Sequence, residues 1–231
     1  MKKIGVVIAD ENEFEPFITL CKKHSGVLGE ARGKRTAEFK IGDNIVKGIE
    51  CGIGKVNAAG ETAFLISADK ADIIMNIGLS GAISGLKRND FVAGESFVEC
   101  DFDLTPIGYK YGAKPQKTYV YEADKELLTL AKEAGVGKSG KFGCGDIFLA
   151  DRERKEFFKE TFGICEFDME TGAIASVCHE CNIPLLSIRK ISDTADDMSC
   201  ENYREMNDRA EGDLTDILEK IIERTKLHAE I

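Results

Sequence analysis

Residues 51–83 read CGIGKVNAAGETAFLISADKADIIMNIGLSGAI. Gly52–Lys55 breaks the chain, Val56–Ser67 is a run of small and apolar residues with helical spacing, and Asp72–Ile77 is a short apolar run typical of a strand buried on both faces. Turn, helix and buried strand form the repeating unit of an α/β fold. Upstream, Lys3–Ala9 is a β-branched strand, and Asp10 caps a helix whose apolar residues Phe14, Phe17, Ile18 and Cys21 fall on one side, with Pro16 tolerated near its start. Thr36–Ile41 and Asn44–Cys51 read as a hairpin turned at Gly42-Asp43. Downstream the alternation continues: a strand at Phe91–Glu99, a helix at Lys125–Ala134, a strand stub at Gly140–Gly143 and a charged helix at Asp151–Phe162. A helix starting at Glu170 then feeds the strand Leu185–Ile191. The last helix runs from Asn202 to about Leu227 on the stripe Tyr203, Met206, Ala210, Leu214, Ile217, Leu218, Ile221 and Ile222. The pattern predicts one α/β domain over residues 1–231, built on a mostly parallel central sheet.

Composition excludes several classes of function. Lys and Arg total 31 against 41 Asp and Glu, a net charge of −10, the wrong sign for a nucleic-acid surface. No apolar run approaches the length of a membrane span. Met1-Lys2-Lys3 opens like a leader, but the apolar run after it is broken by Gly5 and ends at Asp10, so it reads as a first strand and a cytoplasmic protein is expected. The 8 cysteines are scattered through a chain large enough to fold without cross-links, and reduced thiols are expected. Cys178 and Cys181 have the spacing of half a zinc site, but no second pair exists and the chain has only 3 histidines, so no metal is expected. Both cysteines fall on the apolar face of their helix. No histidine stands at a strand end, which disfavours a Ser-His-Asp arrangement.

In open α/β sheets ligands gather at the carboxyl ends of strands. Four such ends are unusual here: Ala9–Glu13, Cys51–Lys55, Gly78–Ile83 and Arg189–Asp193. The second resembles a phosphate loop, but Ile49 stands where that motif needs glycine, so the bland reading is a tight turn with a solvated lysine. Glycines 78 and 81 either expose backbone donors to a ligand or simply allow close packing. Three carboxylates are candidates for acid and base chemistry: Glu13, Glu170 and Asp193. Equally, Glu13 and Glu170 could cap helix amides and Asp193 the turn after its strand.

The strings MKKIGVVIADENEF, CGIGKVNAA, DIIMNIGLSGAI, DFDLTPIGYKYG, GCGDIFLAD, FDMETGAIASVC and RKISDTADD occur in the order and spacing of the 5′-methylthioadenosine/S-adenosylhomocysteine nucleosidases, a family of the nucleoside phosphorylase superfamily. The resemblance runs from residue 1 to about residue 225. It implies a single α/β domain with a central mixed, partly barrel-like sheet flanked by helices. It also implies a homodimer, no cofactor, and hydrolysis of the bond between a purine and the ribose anomeric carbon, in the service of methionine salvage. Carried over by position, Asp193 is the acid that protonates the departing purine, Ser192 holds its carboxyl, Glu13 activates the attacking water and Arg189 contacts that water. Met169 and Glu170 form the ribose pair, Phe148 stacks on the purine, Leu149 offers backbone bonds to its edge, and Ile53 and Tyr203 wall the 5′ side.

The chain departs from the family pattern in several places. Asp168 is one methylene shorter than the usual glutamate, and Leu79 followed by Ser80 replaces a serine in the loop that holds water, phosphate or ribose. Cys100 stands in place of histidine, and Pro106-Ile107 alter the wall that a neighbouring subunit offers to the 5′ group. The alternatives are a phosphorylase, a hydrolase of another purine nucleoside such as futalosine, and a non-catalytic nucleoside-binding protein. An anionic Glu13 beside the anomeric carbon favours water over phosphate.

Overall fold

Lys3–Ile8 (β1) and Ile73–Ala82 (β5) are almost wholly buried and lie parallel at the centre of the computed structural model, which describes residues 1–115, 118–195 and 199–225. Around them run Glu11–Lys23 (α1), Val27–Ala31 (β2), Lys34–Ile41 (β3), Asn44–Glu50 (β4) and Lys55–Ser67 (α2). Phe91–Glu99 (β6), Val120–Glu122 (β7), Lys125–Glu133 (α3), Lys138–Cys144 (β8), Arg152–Phe162 (α4) and Glu166–Asp168 (β9) follow. The chain continues through Thr171–Cys181 (α5), Leu185–Asp193 (β10), Ser199–Asn207 (α6) and Asp213–Arg224 (α7).

All ten strands form one sheet in the order β10-β6-β8-β9-β5-β1-β4-β3-β2, with β7 beside β6. Strand β10 also pairs with β5, so β10, β6, β8, β9 and β5 close on themselves as a barrel, and β1 to β4 continue outward as an open sheet. This is the mixed, partly barrel-like sheet that the resemblance implied. The mostly parallel sheet read from periodicity is corrected: β2–β3, β3–β4, β5–β9, β6–β7 and β6–β10 are antiparallel. Strands β7 and β9, three residues each, are too short to show a period in sequence.

One side of the open sheet is covered by α1, α3 and α7, which bury Phe14, Phe17, Leu127, Leu218 and Ile222 against Ile4, Val6 and Ile8. The other is covered by α2 and α5, through Ala58, Leu65, Ile174 and Cys178 against Val7, Ile49 and Ile74. Cys178 is buried but Cys181 is exposed, so only one of the pair lies on the apolar face.

Two further expectations are revised. Strand β5 continues past Ile77, so Gly78–Ala82 is strand rather than loop. The expected final helix is broken into α6 and α7: Ala210 takes up a φ of 45°, Gly212 stands at the start of α7, and Lys190 of β10 pairs with Glu211 and Asp213 on either side of that glycine (Nζ to Asp213 Oδ2, 2.6 Å). Residues 226 and 227 of that expected helix lie outside the described residues. Among the described residues no helix is long and apolar enough to cross a membrane, and no cluster of side chains could hold a metal ion.

Candidate active site

Strand β1 delivers the chain to Asp10, whose extended backbone and carboxylate, accepting the Asn12 N–H at 2.8 Å, start α1. One turn later Glu13 points back over β5. Its carboxylate caps no amide of its own helix; Oε1 accepts the Leu79 N–H at 2.7 Å. Beneath it lies Gly78, where a Cβ would sit 2.3 Å from Arg189 Nη1 and 3.0 Å from Glu13 Oε2. The glycine is there because a carboxyl and a guanidinium approach the strand at the same point. Glu13 as a residue is half-buried, yet its Oε2 is shut off from solvent with no hydrogen-bond partner. Loss of hydration pushes its pKa up to about 8, against the pull of Arg189 and the Leu79 amide.

Arg189 faces Gly78 across the β5–β10 ladder and is 1% exposed. It donates to Asn76 Oδ1 at 2.9 Å and Thr171 Oγ1 at 2.7 Å, and pairs with Asp168 at 3.0 Å and Glu170 at 3.7 Å. These acids hold its pKa above the ordinary arginine value despite burial.

Asp168 takes over the start of α5, accepting the Glu170 and Thr171 N–H groups at 2.8 Å each and the Thr171 hydroxyl. Glu170, at the helix N-terminus, caps no amide of α5 and is free to accept the Gly54 N–H at 2.9 Å. Gly54 has a φ of 99°, a conformation that favours glycine, and so the GIGK turn serves to present an amide to Glu170. Burial and Asp168 push the Glu170 carboxyl up to about 7, against Arg189. The lysine of that turn is not solvated as the sequence suggested: Lys55 Nζ lies 2.6 Å from Asp101 and 3.1 Å from Glu99.

Asp193 ends β10 just past a register shift, with Oδ2 accepting the Ser192 hydroxyl at 2.7 Å and Oδ1 the Ala195 N–H at 2.8 Å. The turn-capping role is therefore present, alongside a carboxyl that lines the cleft.

The cleft has a volume of about 670 Å³, mouth included. Glu13, Ile53, Leu79, Ser80, Phe148, Leu149, Met169, Glu170, Ser192, Asp193 and Tyr203 all line it, while Arg189 lies beneath its floor and not in its wall. The Phe148 and Tyr203 rings meet edge to face at 5.5 Å. Sequence reasoning did not single out Asp10, Ile147 or Phe167 as lining residues. Asp10 lies in the candidate strand end Ala9–Glu13 but reads there as a cap, and Phe167 lies on a strand too short to detect. Among the described residues the lining carries several acids and no Lys or Arg.

The sequence profile of the phosphorylase superfamily matches residues 3–223. A 5′-methylthioadenosine/S-adenosylhomocysteine nucleosidase of Geobacillus sp. (strain WCH70) is 34% identical over 182 residues, 75% of this chain and 78% of its own. Among solved structures, the Helicobacter pylori 5′-methylthioadenosine/S-adenosylhomocysteine nucleosidase with butyl-thio-DADMe-Immucillin-A superimposes with a TM-score of 0.92 at 25% identity, covering 97% of this chain and 99% of that one. The Helicobacter pylori futalosine hydrolase gives a TM-score of 0.91 at 25% identity, covering 96% and 98%.

Proposed function

We propose that this chain, which belongs to the 5′-methylthioadenosine/S-adenosylhomocysteine nucleosidase family of the phosphorylase superfamily, hydrolyses the N-glycosidic bond of purine nucleosides, with 5′-methylthioadenosine and S-adenosylhomocysteine as its substrates. The observation that carries the reading is the pair Glu13 and Asp193, brought from opposite ends of the chain to one cleft, with Glu13 Oε2 enclosed and unpartnered.

Breaking this bond leaves positive charge on the sugar and negative charge on the purine. Asp193, its carboxyl fixed by Ser192 and the Ala195 amide, gives a proton to the imidazole nitrogen of the purine, which leaves neutral. Glu13 takes a proton from water as that water bonds to the anomeric carbon. The products are adenine and a free 5-thio-ribose. Arg189 acts from below the floor, favouring the ionised Glu13. Glu170, held by Gly54, accepts hydrogen bonds from the ribose hydroxyls beside Met169, and these tighten as the ring becomes cationic. Phe148 and Leu149 hold the purine, Leu79 and Ser80 the ribose floor, and Ile53 and Tyr203 the 5′ group. A cleft without a lining cation among the described residues, and with Glu13 in it, suits water better than a phosphate dianion.

A homodimer is the assembly we assign, supported by the 69% exposed Ile107 on the segment expected to face a neighbour's 5′ end. From that activity we infer a cytoplasmic location and a part in methionine salvage. The likeness to futalosine hydrolase favours futalosine as the second reading.

The test is incubation with methylthioadenosine, adenosylhomocysteine, adenosine, inosine and futalosine, with and without phosphate, and identification of the sugar. A free reducing sugar formed at the same rate without phosphate is expected; accumulation of a sugar 1-phosphate would overturn the reading.

A further inference from the structure

Glu166 has no exposed surface, and neither of its carboxyl oxygens is in a formed hydrogen bond. Of the other sealed and unpaired polar atoms, Ser80 Oγ, Arg189 Nε and Glu13 Oε2 belong to the same region beneath the cleft. The groups around Glu166 are Asp168 of its own strand, Cys165 just before that strand, Glu170 at the start of α5, Arg189 of β10, Ser80 of β5 and Cys100 just past β6. The only cation in that set is committed elsewhere: its Nη2 pairs with Asp168 and Glu170 and donates to Asn76 and Thr171, and its Nη1 lies under Gly78 toward Glu13. One guanidinium therefore stands among Glu13, Glu166, Asp168 and Glu170, and four enclosed carboxylates cannot all ionise around a single positive charge. Glu166 has the poorest claim on it, since among the described residues no ion pair reaches its carboxyl.

We propose that Glu166 is a positioning residue that works as an uncharged carboxylic acid, donating its proton to Ser80 Oγ beneath the floor of the cleft and leaving the Arg189 charge to Asp168 and Glu13. An ionised Glu166 would compete for the guanidinium and weaken its pull on Glu13, so the base would become anionic only at a still higher pH. Burial and the Asp168 and Glu170 carboxylates favour the protonated acid, and they outweigh Arg189 and the Ser80 hydroxyl, which favour the ionised form. The donated hydrogen bond also fixes Ser80, whose carbonyl lies 3.2 Å from Ser192 Oγ, the group that orients Asp193.

The inference rests on the reading of Glu13 as base for its consequence, but its spectroscopic test does not. In infrared difference spectra of the parent against Glu166→Gln, taken at a pH where Glu13 and Glu170 have ionised, the parent shows the carbonyl band of a protonated carboxyl and the variant lacks it. In kinetics, Glu166→Gln keeps an amide N–H donor, so its turnover and the acid limb of its kcat/KM profile stay in place, whereas Glu166→Met has no donor and loses turnover several-fold. Absence of the band, an acid limb moved to lower pH in Glu166→Gln, or equal turnover in the two variants each overturns the proposal. Should Glu166→Gln not fold, Ser80→Ala replaces it: the band moves to the frequency of an unbonded carboxyl, and a band that does not move rejects the Ser80 contact. A band present in a protein that hydrolyses no nucleoside would leave the inference standing and remove the proposed function.

Discussion

Glu13 and Asp193 each have a neighbour through which a substitution would act on the fold as well as on chemistry, so each variant must be read in two measurements. Glu13→Gln keeps an oxygen for the Leu79 N–H but cannot take a proton, and turnover should fall roughly 10²- to 10⁴-fold with nucleoside affinity retained. The parent's kcat/KM should rise with pH until Glu13 ionises near 8, since only the carboxylate is a base; a profile already flat well below that value would contradict the role. In Asp193→Asn the side-chain oxygen can still accept the Ala195 N–H, so the melting temperature should move by less than the equivalent of about 1 kcal/mol while kcat falls more than KM changes. A nitrophenyl riboside, whose leaving group needs no proton, should be hydrolysed by Asp193→Asn almost as fast as by the parent. Equal losses on both substrates would count against Asp193 as the acid. The acids at these strand ends were visible in the sequence, but whether they cap or catalyse was not. That distinction depends on which amides they meet, and Glu13 and Glu170 meet amides of distant segments, Leu79 and Gly54.

At the scale of elements, β5 shows most clearly what sequence hides. Gly78 and Gly81 look like loop residues, yet they sit inside the strand because Arg189 and Glu13 crowd one and Asp193 the other. Gly78→Ala should therefore cost both stability and at least as much turnover as Glu13→Gln, seen as a lower melting temperature and a loss of activity per folded molecule. Gly60, exposed in the middle of α2 with nothing within 4 Å of its absent Cβ, is the control: Gly60→Ala should stabilise by about 0.5–1 kcal/mol and leave activity alone. The hairpin, α1, α2 and β1 were legible because their apolar periods are local. The break between α6 and α7 was not, because the apolar stripe runs on through it past Gly212, and the Lys190 that pairs with Glu211 and Asp213 there lies in another element. Arg189 was legible as a residue near the site but not as one under its floor, since which face of β10 turns inward is settled only when the barrel closes.

For the whole molecule, Glu13, Glu170 and Glu166 all have pKa values raised above the ordinary glutamate value, so the folded state holds protons that the unfolded chain releases. Their contribution to stability is complete below about pH 4.5 and is lost as pH rises through about 7 for Glu170 and about 8 for Glu13. The melting temperature of the unliganded protein should accordingly decline between about pH 5 and pH 8, and Glu13→Gln should flatten that decline; a parent curve rising over this range would contradict the assignment. The double pairing of β10 has a consequence for how the chain is made. Strand β10 bonds to β5 on one side and to the Phe91–Ala93 end of β6 on the other, and it is the last strand in the sequence. While the ribosome is still synthesising residues 185–193, both edges stand unpaired, and closure must then join segments about a hundred residues apart. The nascent protein passes through a stage in which its central sheet is complete but its barrel is open and prone to self-association, with Glu13 already placed and both Arg189 and Asp193 still missing. Closure of the barrel and delivery of Arg189 and Asp193 thus coincide, on a single strand.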